Sequence, residues 1–278
     1  MLDLPSPKPT HRVAYGPDPN QFGHLWLPGR RAAGERGEAP APLLIFVHGG
    51  YWRARYGLEH ADLLCRALAG AGIAVWSIEY RRLGNPGGGY PGTFEDVLRA
   101  VDFLPRLAER HPLDLHRVAI MGHSAGGHLA LWAAGAHRLP AGHPLRRTDP
   151  LPVRAAICVG GITDLRRAWE LGLSDGVVEE LLGGGPEEVA ERYAATSPIE
   201  LLPLGVPQTL VHGSAEEVVP TEFAERYAAA ARAAGDRVRL VWLRDMGHFE
   251  PLDPWSAAWP VVYGAVADAL GVGSGRPR

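Results

Sequence analysis

Residues 117–134 run Arg-Val-Ala-Ile-Met-Gly-His-Ser-Ala-Gly-Gly-His-Leu-Ala-Leu-Trp-Ala-Ala, from Arg117 to Ala134. An apolar β-type run, Val118 to Met121, leads in, and a helix-forming run, Leu129 to Ala136, leads out. Between them, Gly122, Ser124 and Gly126 fit the pattern G-x-S-x-G. That pattern places a serine on a sharp strand-to-helix turn with its hydroxyl exposed and a helix N-terminus beneath it. Such a turn holds the serine in a strained backbone conformation and needs small neighbours on either side.

On either side of this stretch, apolar runs alternate with helical spacing. Strands are expected at His11–Tyr15, Phe22–Leu27, Leu43–Val47, Ile73–Ile78, Val118–Met121, Val153–Val159, Gln208–Val211 and Val238–Trp242. Helices are expected at 58–71, at 93–110 with Thr93 as N-cap, after Ser124, at 221–234 and at 255–270. Continuous apolar runs such as Leu43-Leu-Ile-Phe-Val47 suit strands buried on both faces. The pattern predicts an α/β protein: a doubly wound, mostly parallel sheet with helices on both faces, forming one domain over residues 1–278. Residues 160–205 break the rhythm with two short helical patches, Val177–Leu182 and Pro186–Ala194, and are expected to be a small helical cap. There Trp169, Leu171, Leu173, Val178, Leu181 and Leu182 either line a pocket or pack the cap against the sheet. Residues 1–10 read as a Pro-rich arm and 28–42 as a polar loop.

With 28 Lys and Arg against 31 Asp and Glu in 278 residues, the net charge of −3 offers no basic surface for nucleic acid or anionic membrane. Cys65 and Cys158 have no metal-type spacing and read as buried thiols. No apolar run nears the ~20 residues of a membrane helix, and the expectation is a cytoplasmic protein.

In such sheets ligands sit at the carboxyl ends of strands, where the polar motifs fall. A serine hydroxyl needs a base within reach, and the base needs an orienting carboxylate. After a G-x-S-x-G turn the chain order is Ser, acid, His. His248 follows Val238–Trp242 and is the expected base. Glu216 follows Gln208–Val211 and is the expected acid, with Glu217 as its competitor in the same loop. His123 reads as a packing residue, because adjacent side chains on a tight turn diverge, and His48 and His212 read as loop braces. Hydrolysis also needs N–H donors for the developing oxyanion. The Ala125 amide is one, and the loop His48-Gly-Gly-Tyr-Trp52 supplies the rest. Tyr51, Trp52 and Tyr90 neighbour that loop and are the expected substrate contacts.

Together these residues resemble the α/β-hydrolase fold over nearly the whole chain. His48-Gly-Gly-Tyr-Trp52 is similar to the HGG-x-W element of the arylformamidase (kynurenine formamidase) and carboxylesterase-like branch. Glu79-Tyr-Arg-Arg82, Gly87 to Asp96 and Ser197-Pro-Ile199 are similar to what those enzymes carry in the same places. The resemblance implies Ser124 as nucleophile, Glu216 as acid, His248 as base, an oxyanion hole of the Gly50, Tyr51 and Ala125 amides, and no cofactor or metal. It departs from the pattern in two places: Glu216 stands where the family usually has Asp, and Tyr51 replaces the third glycine of the HGGG found in hormone-sensitive-lipase-like enzymes. The implied activity is hydrolysis of carboxylic esters of small acyl or aryl substrates through an acyl-enzyme on Ser124. The alternatives are hydrolysis of the formamide N-formylkynurenine, and a non-catalytic ligand-binding protein on the same fold. The partner is then a small ester or formamide, with no nucleic acid and no membrane; the oligomeric state stays open.

Overall fold

A computed structural model describes residues 7–29 and 39–273. Most of the N-terminal arm and of the 28–42 loop lies outside the described residues. One eight-stranded sheet runs through the molecule. Its strands are β1 (His11–Ala14), β2 (Phe22–Trp26), β3 (Ala41–Val47), β4 (Ala74–Ile78), β5 (Leu113–His123), β6 (Ala156–Val159), β7 (Gln208–Gly213) and β8 (Val238–Leu243). The spatial order is β1-β2-β4-β3-β5-β6-β7-β8. The β1–β2 and β2–β4 pairs are antiparallel, and every other pair is parallel.

The helices are α1 (Asp62–Gly70), α2 (Gly92–Asp102), α3 (Leu104–Ala108), α4 (Ala125–Gly135), α5 (Leu165–Glu170), α6 (Leu173–Leu182), α7 (Ala190–Thr196), α8 (Glu222–Ala233) and α9 (Trp259–Leu270). They cover both faces because the central strands are apolar on both. Along β3, side chains alternate across the sheet. Leu43, Ile45 and Val47 join one core with Phe94 of α2, Trp132 of α4 and Tyr227 of α8. Leu44 and Phe46 join the other with Leu64 of α1 and Val262 of α9. Each such side chain, fully withdrawn from water, stabilises the fold by about 1.5–3 kcal/mol.

Several bounds differ from the sequence expectation: β6 starts at Ala156, the helix expected over 93–110 divides into α2 and α3, and α9 starts at Trp259. Three further details matter. First, β5 starts at Leu113 rather than Val118. Its first two residues pair with Ala41 and Pro42, and the register then jumps so that Leu43 faces Val118. The intervening residues are bulged out, which hides the strand from a period-two reading. Second, Thr93 is not the cap of α2. The helix begins at Gly92 behind Pro91, and the Thr93 hydroxyl donates to the Arg81 carbonyl (2.5 Å) and accepts from the Gly89 amide (3.0 Å). Third, a short helix, α5, precedes the expected patches, capped by the Asp164 carboxylate, which accepts from the Arg167 amide. In α6, Ser174, Asp175 and Gly176 have positive φ, so regular right-handed turns begin only at Val177, where the sequence places them.

Candidate active site

The strand-to-helix turn at Ser124, the elbow of this fold, is built by close approach. Ser124 stands between the end of β5 and the start of α4 with φ 56° and ψ −124°, a conformation that costs on the order of 1–3 kcal/mol for a non-glycine residue. The flanking glycines are required by space. A Cβ on Gly122 would lie 1.9 Å from the Gly126 carbonyl oxygen, and one on Gly126 would lie 2.0 Å from that of Val47. The Ser124 amide donates to the Val159 carbonyl at 2.8 Å, tying the turn to β6. Ala125 opens an 11-residue helix, so its N–H has no intrahelical acceptor.

The loop after β3 packs on this turn. A Cβ on Gly49 would come within 2.9 Å of the Ser124 Cβ. Gly50, Tyr51 and Trp52 all have positive φ (110°, 51° and 55°), and two of the three are not glycine. The loop is held from below by a buried charge cluster. His48 Nε2 lies 2.9 Å from Glu79 Oε1, and Arg82 reaches the same oxygen at 3.1 Å. The Tyr80 hydroxyl donates to the His48 carbonyl at 2.8 Å, and its ring stacks on the imidazole. Burial raises the Glu79 carboxyl pKa, but His48 and Arg82 outweigh that and hold it below the ordinary glutamate range. His48 is the brace expected of it.

The loops after β7 and β8 meet beside the elbow. His248 Nδ1 bonds Glu216 Oε2 at 2.7 Å, with both side chains almost fully buried. Glu216 Oε1 accepts from the amides of Val218 (2.7 Å) and Val219 (3.2 Å). Burial raises this carboxyl too, but the bond to His248, its charge and the two amides together bring it below the ordinary value. Glu217, the competitor, is exposed and makes no such bond among the described residues. His212 braces the acid loop by donating from Nε2 to the Val219 carbonyl at 3.0 Å. Gly160, after β6, lies against the pair: a Cβ there would be 3.3 Å from His248 Nδ1 and 3.5 Å from Glu216 Oε2.

The expected substrate contacts separate. Tyr51 is half-buried and crosses to the acid loop, where its hydroxyl donates to the Val218 carbonyl at 3.1 Å. Burial and the nearby Glu216 charge raise its pKa, so the phenol stays protonated. Tyr90 is half-buried; its amide donates to the Leu181 carbonyl (2.8 Å), and the Arg192 guanidinium lies over its ring. Trp52 is corrected: it is fully buried and meets His128 edge-on in the core, so it has no surface to offer a substrate. It belongs to the core that holds Phe94 and Trp132, which spacing alone does not reveal. Of the six apolar cap residues, Val178, Leu181 and Leu182 are core, while Trp169 and Leu171 are exposed.

His123 is also corrected. Its ring does not merely pack: Nε2 donates to the backbone carbonyl of His248 at 2.8 Å. Nothing local in the sequence signals this, because the partners are 125 residues apart.

The sheet order, the serine elbow and the histidine–glutamate pair define an α/β-hydrolase fold. Solved structures share it: esterase B from Lactobacillus rhamnosis superposes with a TM-score of 0.78 at 20% identity, covering 97% of this chain and 89% of that one. A carbohydrate esterase from gut microbiota gives 0.76 at 21% identity, covering 94% and 95%. Residues 33–230 match the BD-FAE family, and the chain belongs to it. Among curated relatives, esterase LipC of Mycobacterium tuberculosis is 31% identical over 87% of this chain. Esterase LipQ of the same organism is 28% identical over 99% of it. The chain spans 60% of the length of LipC and 67% of that of LipQ. Among the described residues no helix is long and apolar enough to cross a membrane.

Proposed function

We propose that this chain is a serine hydrolase of carboxylic esters with small acyl or aryl groups. The observation that carries the reading is the buried 2.7 Å bond between Glu216 and His248, in loops that follow strands on the same side of the sheet as the strained Ser124. The names of the curated relatives, esterases LipC and LipQ, support it.

In this reading Ser124 Oγ attacks the ester carbonyl while His248 takes its proton, and the oxyanion is held by the Gly50, Tyr51 and Ala125 amides. His248 then returns the proton to the leaving alkoxide, which departs as the alcohol and leaves an acyl-enzyme. Water attacks that ester, giving its proton to His248, which passes it back to Ser124 as the acid is released. Glu216 stays ionised and orients the imidazole throughout. Residues 160–205 act as a small cap, joined to the oxyanion loop through Arg53, which bonds Glu180 at 2.8 Å and the Ser174 carbonyl at 3.2 Å. The two cysteines are free and buried, which suits a reduced, cytoplasmic setting.

The test is hydrolysis of p-nitrophenyl acetate by wild type and Ser124→Ala, with fluorophosphonate labelling of both. Wild type is expected to turn over and to be labelled, and the variant to do neither. Equal activity in the two removes the reading, and absence of both signals in wild type favours a ligand-binding protein. A second reading, formamide hydrolysis with N-formylkynurenine as substrate, rests on the loop His48-Gly-Gly-Tyr-Trp52 and uses the same machinery. A higher kcat/KM for the formamide than for aryl acetates decides for it.

A further inference from the structure

We propose that His123 is a positioning residue for the base: it fixes the backbone of His248 and thereby the imidazole that Ser124 uses. The proposal rests on the serine-hydrolase reading above.

The geometry assigns the direction of the bond. A carbonyl oxygen only accepts, so the 2.8 Å contact to the His248 carbonyl fixes the hydrogen of His123 on Nε2. His123 is 1% exposed, and its Nδ1 has no hydrogen-bond partner among the described residues. The side chain therefore has one polar commitment, and it is to the base loop. The titratable groups facing it are His248, whose ring centroid is 4.5 Å away, and His60, at 6.2 Å. Burial, reinforced by those two histidines, holds His123 well below the ordinary histidine range. It therefore stays neutral, keeps the Nε2–H donor, and places no charge beside the imidazolium that forms on His248.

The consequence is mechanical. His248 is fixed through its side chain by Glu216 and through its main chain by His123. His123 is the residue before the nucleophile, so the nucleophile and the backbone of the base share one rigid element. Loss of the bond frees the base loop to move relative to Ser124, and a displacement of about 1 Å at a reacting centre lowers rate by up to about 100-fold.

The experiment compares wild type, His123→Leu, His123→Asn and His123→Gln. Each is assayed for kcat and KM on p-nitrophenyl acetate across pH and checked for folding by thermal melt. Leucine removes the donor, asparagine is too short to present it, and glutamine carries an N–H able to reach the His248 carbonyl. The expected result is a kcat about 10- to 100-fold lower in the Leu and Asn variants, with KM within about twofold. The acid limb of kcat/KM should shift to lower pH as the Glu216 bond to His248 loosens. The Gln variant should recover most of the rate. Wild-type kcat and an unmoved acid limb in a folded Leu or Asn variant overturn the proposal, as does a Gln variant no better than those two. If the Leu variant does not fold, the Asn–Gln comparison carries the same outcomes. A second readout does not depend on turnover: the downfield proton resonance of the His248–Glu216 bridge should move or vanish in the Leu and Asn variants and persist in Gln. A wild type with no hydrolysis and no labelling sinks the serine-hydrolase reading, whereas normal turnover in every variant sinks only the role of His123.

Discussion

Two buried histidine–glutamate pairs lie at the carboxyl end of this sheet, and they are built to opposite ends. In His48–Glu79 both ring nitrogens face acceptors, the Gly49 carbonyl at 2.7 Å and the carboxylate at 2.9 Å, and Arg82 shares the same carboxylate. In His248–Glu216 the carboxylate bonds one ring nitrogen and two backbone amides, and among the described residues no protein group bonds Nε2. The first pair is saturated and holds a loop. The second leaves one ring nitrogen unbonded. The residue types are the same, so the difference lies in what each pair leaves unbonded.

Substitutions test whether the two pairs differ in this way. The largest expected effect is Glu216→Gln, which leaves the imidazole without its orienting charge; kcat should fall on the order of 10⁴-fold, measured on p-nitrophenyl acetate. Glu217→Gln, at the exposed neighbour, is expected to stay within about twofold of wild type, and equal losses in the two variants would erase the distinction between them. Next is Glu79→Gln, which leaves His48 and Arg82 buried beside a neutral group. Breaking a buried pair costs about 3–5 kcal/mol, to be read by urea unfolding, with kcat falling far less than in Glu216→Gln.

The two pairs also respond to pH. Both carboxyls sit below their ordinary value of about 4.3 in the folded state. Each therefore contributes stability above that pH and loses it as pH falls through the lower folded value. The stability gap between wild type and Glu79→Gln should accordingly narrow as pH is lowered below about 4.3; a gap that widens would contradict the depressed carboxyl. The smallest effect is Arg53→Ala. Its ion pair with Glu180 is solvent-exposed, and the loss of stability should stay under about 1 kcal/mol.

The sequence made the frame legible because the frame is local. Apolar runs mark the strands, and the elbow announces itself by two glycines whose missing side chains are required by contacts under 2.1 Å. Chain order was enough to bring Ser124, a glutamate of the 212–220 loop and His248 to one end of the sheet. What was not legible depends on distant partners. Glu216 and Glu217 are neighbours of equal chemistry, and only the fold turns one inward to the Val218 and Val219 amides. Trp52 follows Gly49 and Gly50 and reads as a substrate contact, but the fold buries it completely. Thr93 has a cap's residue type, but its hydroxyl is taken by Arg81 and Gly89. His123 carries no signal, because its partner is a main-chain atom in another loop.

The bond from the Tyr51 hydroxyl to the Val218 carbonyl has a wider meaning. From Tyr51 one can pass to the acid loop, through Glu216 to His248, from the His248 carbonyl to His123, and from the elbow back to Gly49 in the loop that carries Tyr51. The loops form a closed circuit rather than a row of independent parts. A change anywhere on it has two routes to every other member, so Tyr51→Phe, which removes a single oxygen, opens the circuit at one bond.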